Sequence, residues 1–152
     1  MSMQSTRSAY QLVSYADGIA AGMSDAVILV GRVLIALVFV LTASDGSPNA
    51  GYLTGLGYVF PEFWSVIAII AEWVIGITLL FGVGTRYGAL LGVLYVVVAT
   101  VTAHRYWQYP QAQQGIQYIF ATKNLAILGG LFVLFVTGAG RYSIDTRLAG
   151  RR

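Results

Sequence analysis

Long apolar runs alternate with short polar breaks along the chain. Four runs stand out: "AVILVGRVLIALVFVLTAS" at about 26–44, "FWSVIAIIAEWVIGITLLFGV" at about 63–83, "YGALLGVLYVVVATVTAH" at about 87–104 and "NLAILGGLFVLFVTGAG" at about 124–140. Each approaches the roughly 20 residues that cross a bilayer. Lipid offers the backbone no hydrogen-bond partners, so each run must be a helix, whatever the strand preference of its valines and isoleucines. The expected fold is all-α and integral to the membrane, an antiparallel bundle of four transmembrane helices over 26–140.

The breaks carry their own signals. Ser24 and Asp25 suit the N-terminus of the first helix. "DGSPNAG" at 45–51 is rich in turn residues. Pro61 and Glu62 fit the first turn of the second helix. "GVGTR" at 82–86 makes the second and third helices a hairpin, and Gly138 with Gly140 ends the fourth. Before the bundle, Leu12, Ala16, Ile19, Ala20 and Met23 fall on one helical face. Residues 1–25 are therefore expected to hold a short helix, lying in the membrane interface or packed on the bundle, with 141–152 a basic tail. No continuous apolar run follows Arg7 before residue 26, so the first run is read as a retained span rather than a signal peptide.

Composition narrows the chemistry. Apolar residues make up 57% and charged residues 10%, against about 25% charged in a soluble domain, which leaves too few charges to cover a soluble surface. The absence of cysteine excludes disulfides and thiolate sites, and a single histidine, His104, excludes a multi-histidine metal site. The scattered arginines speak of topology, not of nucleic acid. An even number of spans puts both termini on one side, together with Arg7, Arg86, Arg141, Arg147, Arg151 and Arg152; the other side has Arg105 and Lys123. The positive-inside rule places both termini in the cytoplasm, with loops 45–62 and 105–122 outside. Aromatic residues such as Tyr52, Phe60, Trp64, Tyr106, Trp107 and Tyr118 gather at that outer interface, where plain anchoring accounts for them.

Two ionisable residues sit at membrane depth. Glu72 lies about 16 Å, and Arg32 about 9 Å, from the cytoplasmic ends of their helices. Arginine presents a fork that suits a carboxylate, so a buried Arg32–Glu72 pair is the simplest expectation. The alternative is an arginine that snorkels to the interface beside a protonated glutamate. Ser65, Ala68, Glu72 and Gly76 share one face, which turns Glu72 into the bundle. Tyr95 falls at a similar depth, while His104, Lys123 and Asn124 meet at the outer surface. With the tyrosines they form a candidate polar mouth, suited to an apolar ring compound with carbonyls, such as a quinone. Histidine adds a group that titrates near neutral pH and relays protons. A purely structural role explains each of these residues too. "GVGTR" lacks the lysine and the strand-to-helix setting of a phosphate loop.

In order and spacing, several of these segments resemble the DoxX-like membrane proteins. They are "GRVLIALVFVL", "GYLTGLG", "AEWVIGITLLFGVGTR", "VATVTAHRYW", "KNLAILGGL" and "GAGRYSIDTRL", spread over about residues 31–148. Two departures from the family pattern are Asp45, in a region where a lysine is frequent, and Ala139, where proline is usual. The resemblance implies a bacterial inner-membrane protein with a four-helix bundle. It further implies a small subunit of a quinone-linked membrane oxidoreductase or redox-defence complex, with no primary cofactor of its own, a membrane or peripheral oxidoreductase as partner, and a homo-oligomer left open. A non-catalytic assembly or scaffold factor is the alternative.

Overall fold

The computed structural model describes the backbone of residues 3–150 and the side chains of 14–150. The side chains of Arg7 and Leu12, and all of Arg151 and Arg152, lie outside the described residues. Among the described residues six α-helices follow one another: α1 (Met3–Ser44), α2 (Ala50–Gly55), α3 (Pro61–Phe81), α4 (Thr85–Ala103), α5 (Gln111–Thr137) and α6 (Ile144–Leu148), with a 3₁₀ turn at Tyr106–Gln108. Four of them, α1, α3, α4 and α5, are long and apolar enough to cross a membrane. They run antiparallel and close a ring, α1 on α3, α3 on α4, α4 on α5 and α5 back on α1. One end of the bundle carries α2 and the 3₁₀ turn and is called here the loop end. The other carries the α3–α4 turn and α6, and is called the tail end.

The helix boundaries follow local chemistry. Pro61 opens α3 with Glu62 in its first turn, as expected where a missing N–H and a negative charge are both tolerated. Gly82 at φ 67° ends α3 and Gly84 at φ 58° precedes α4; two left-handed positions reverse the chain within three residues, which glycine does without strain. Asn49 caps α2 by accepting the Tyr52 N–H at 2.9 Å. Gly138 closes α5 at φ 76°.

Three expectations are corrected. The separate N-terminal helix is instead the first half of α1, which is continuous for 42 residues, about 63 Å. Gly18 and Gly22 do not take left-handed backbone, and a helical glycine costs only about 1 kcal/mol, so nothing stops the helix before residue 26. Asp25 caps no helix; its Oδ1 accepts the Arg141 N–H at 2.9 Å. The fourth span starts at Gln111 rather than near Asn124, because Gln and Ala in "QAQQGIQ" are good helix formers and Pro110 supplies the start.

The core is a thin axis: Ala36, Phe39, Ile75, Leu79, Ala89, Val96, Leu131 and Leu134. Small residues bring the backbones together. A Cβ on Gly76 would meet Val40 Cγ2 at 2.7 Å, and one on Gly130 would meet Ile35 Cδ1 at 2.6 Å. Large apolar side chains such as Val30, Leu41, Ile70, Leu94 and Val136 point outward, as a bundle solvated by lipid requires.

Candidate functional site

The expected Arg32–Glu72 pair does not form. Arg32 is 1% exposed and turns to the tail end, where Nη2 donates to the Tyr142 carbonyl at 2.7 Å. Its guanidinium packs on Gly82, where a Cβ would collide with Nη1 and stand 2.6 Å from Ser143 Cβ. Nearby, Asp145 accepts the backbone N–H groups of Gly84 at 2.7 Å and Thr85 at 3.1 Å, capping α4. The Asp145 N–H donates to the Gly82 carbonyl at 2.9 Å, and Asp145 lies within electrostatic reach of Arg32. "GRYSID" is thus a strap that ties α1, α3 and α4 together. The physical reason for the correction is direction as well as reach. Arg32 stands nearer the tail end than Glu72, and carbonyl oxygens freed where α5 ends and the chain turns back offer it partners there.

Glu72 looks the other way. It is 5% exposed, and its Oε1 accepts the Tyr95 hydroxyl at 2.8 Å. Its Oε2 has no hydrogen-bond partner. Thr42 lies beside the carboxyl, but its hydroxyl donates to the carbonyls of Val38 at 3.0 Å and Phe39 at 3.1 Å on its own helix. The Glu72–Tyr95 pair forms the inner end of a cavity of about 430 Å³ that runs between the helices towards the loop end. Val38, Phe39, Val96, Ala99, Phe120 and Ile127 give it apolar walls. Phe39 meets Tyr95 edge to face at 6.1 Å between ring centroids.

At the mouth stand His104, Gln117, Asn124, Tyr52, Ser47 and Pro48. His104 Nδ1 is 2.8 Å from Gln117 Oε1; with the amide oxygen accepting, Nδ1 carries the proton and Nε2 of a neutral ring keeps its lone pair. Asn124 Nδ2 donates to Thr100 Oγ1 at 2.8 Å, joining α5 to α4. Ser65 donates to the Pro48 carbonyl at 2.7 Å, which seats the α1–α2 connection on α3 above the cavity. The Tyr52 phenol is pushed up to about 12 by burial and by its hydrogen bond with Tyr109.

The structure brings together Glu72, Tyr95, His104 and Asn124 around one cavity. It separates Arg32, at the opposite end, and Lys123, which is exposed and outside the lining. Sequence reasoning missed Gln117, Thr42 and Asp145. A signal for Gln117 existed: Gln117, Phe120, Asn124 and Ile127 recur at helical spacing. It was hidden by reading 105–122 as loop. Among the described residues no group of three or more metal-ligating side chains occurs.

The DoxX family profile matches residues 27–105, slightly more than half of the chain, and takes in α3, α4 and the cavity residues Glu72, Tyr95 and His104. The chain belongs to the DoxX family. It is similar to two Escherichia coli proteins, inner membrane protein YphA, 29% identical over 126 residues (79% of this chain and 89% of the relative), and inner membrane protein YqjF, 30% identical over 132 residues (83% and 95%). A yeast relative, the ER-derived vesicles protein ERV29, is 26% identical over 119 residues, 77% of this chain and 32% of the relative. No solved structure matches. With four spanning helices and these relatives, this DoxX protein is an inner-membrane protein.

Proposed function

We propose that this DoxX-family protein is the small quinone-binding subunit of a membrane redox complex, with no primary cofactor of its own. The observation that carries the reading is the cavity of about 430 Å³, which has apolar and aromatic walls and polar groups confined to its two ends. That division suits an apolar ring with polar substituents. Phe39, Phe120 and Val96 would hold the ring. Glu72 with Tyr95 would meet one polar edge, and Asn124 the other. His104 and Gln117 at the mouth would pass protons between the cavity and the aqueous face, a task suited to imidazole at neutral pH. The primary redox group would be supplied by a partner oxidoreductase. Both termini are assigned to the cytoplasm of a bacterium from the arginine distribution, so the cavity opens towards the outer face.

A second reading, an assembly or scaffold factor, draws on α1. Residues 15–24 are exposed and stand beyond the helix bundle, a surface available to another protein.

Mass spectrometry of the gently purified protein, covering both lipid extract and bound proteins, tests the proposal. A stoichiometric quinone with an oxidoreductase partner is the expected result. A stably bound membrane protein without quinone would replace it with the scaffold reading.

A further inference from the structure

The ring of helices is not evenly closed. α1 meets α5 less extensively than it meets α3. The two are pinned where Ile35 covers Gly130, so closely that a Cβ on the glycine would meet Ile35 Cδ1 at 2.6 Å. Towards the loop end they part. Ala126, Lys123, Ile119 and Ile116 continue the line of Gly130 along α5 at alternating spacings of four and three residues, and all four are exposed. On α1, Val38 stands about 60° round the helix from Ile35, between it and the outward-facing Leu34 and Leu41. Val38 is 41% exposed and yet lines the cavity. The cavity therefore has a side opening, bordered by Val38 on α1 and by the bare stripe of α5. That opening lies within the membrane. Val38 precedes the end of α1 at Ser44 by six residues, about 9 Å, inside a hydrocarbon layer of about 30 Å. The mouth at the loop end is built differently, from the polar side chains of Ser47, Tyr52, His104 and Gln117.

We infer that the ligand of this cavity is a tailed, lipid-borne ring, which enters sideways from the bilayer through the seam between α1 and α5 and leaves its tail lying in that seam. The inference rests on the quinone-site reading above and adds the class of ligand and its route. A hydrocarbon tail cannot trail through the polar mouth without meeting water, and every methylene group so exposed is unfavourable. Through the side opening the tail never leaves lipid, and Val38 with the apolar part of the α5 stripe gives it a surface to lie on. The mouth is then left to protons and water, so ring and proton take separate routes to the same cavity.

The test is photolabelling of the full chain in proteoliposomes with a para-benzoquinone whose isoprenoid tail carries a diazirine close to the ring, the labelled peptides being mapped by mass spectrometry. Labels that an excess of unlabelled tailed quinone removes are expected around Val38 on α1 and around Lys123 and Ala126 on α5. Leu94, which faces outward on α4, should take only background label that the competitor leaves in place. Competed labels on Ser47 and Tyr52 instead would show the tail leaving by the mouth, and competed labels on outward residues of α3 and α4 would show it leaving by another seam. Either result would overturn the inference and leave the quinone-site reading standing. Background label at Leu94 with no competed label anywhere would overturn the quinone-site reading along with it.

Discussion

At the tail end, side chains are tied to the backbone, Arg32 Nη2 to the Tyr142 carbonyl, Asp145 to the N–H groups of Gly84 and Thr85 and Asp25 to the Arg141 N–H, while Arg32 Nε and Nη1 and Thr85 Oγ1 have no hydrogen-bond partner. At the loop end, Glu72 Oε2 is left over, in the lining of a cavity. Both ends bury polar side chains in an apolar bundle, and both leave space beside them: an open groove runs past Asp25, Thr85 and Asp145 at the tail end, and a cavity lies beside Glu72 at the loop end. What separates them is the wall: charged side chains and glycines line the tail-end groove, whereas apolar and aromatic side chains enclose the polar groups of the loop-end cavity, the form that a site for a small apolar ligand takes. Intramembrane charge by itself does not separate the two cases, and here the more deeply buried arginine serves structure.

The largest expected effect lies at the tail end. Gly82→Val puts a branched side chain on left-handed backbone and into the Arg32 guanidinium, and should cost about 3 kcal/mol or more. Thermal unfolding in micelles reads this. An unchanged melting temperature would mean that Arg32 is not held against this turn. Next comes Asp145→Ala, which strips two N–H groups at the start of α4 of their acceptor, at about 2 kcal/mol; Asp145→Asn should recover part of the loss, because an amide oxygen still caps.

Glu72→Gln sharpens the contrast. Were Glu72 the partner of Arg32, its loss would leave a buried cation alone and cost about 3–5 kcal/mol. With Arg32 held at the other end, the change in stability should stay within about 1 kcal/mol. Equilibrium unfolding separates the two values. The smallest effect is expected at the mouth. Tyr52 is held neutral to about pH 12 by burial and its bond with Tyr109, above the ordinary value of about 10. Its contribution is fully present below about pH 10, where the unfolded phenol is also neutral, and is lost as pH rises from there through about 12. Tyr52→Phe should flatten the alkaline fall in melting temperature across that window.

Much of the fold was legible in the sequence because lipid leaves few choices. Four apolar runs had to be helices, and Pro61, Gly82 and Gly138 marked ends that the structure keeps. The start of α5 was not legible by hydropathy, since "QAQQGIQ" is polar and helical at once. Of the site, the depth and inward face of Glu72 were readable from its small-residue stripe, and the cavity joins it with Tyr95, His104 and Asn124. Its partner was misread. Sequence distance placed Arg32 within reach, but not the carbonyl of Tyr142, which lies 110 residues away along the chain. Lys123, adjacent to Asn124, fell on the wrong face of α5, since neighbours along a helix point about 100° apart.

The central claim is that the loop-end cavity is the ligand site and the tail end is structural. A photoactivatable quinone analogue, cross-linked in intact membranes and mapped by peptide mass spectrometry, tests it most directly. The account predicts labels on α3, α4 and α5 around Glu72, Tyr95 and Asn124, competed away by excess unlabelled quinone. Competed labels confined to the tail-end groove around Arg86 and Arg141 would contradict it.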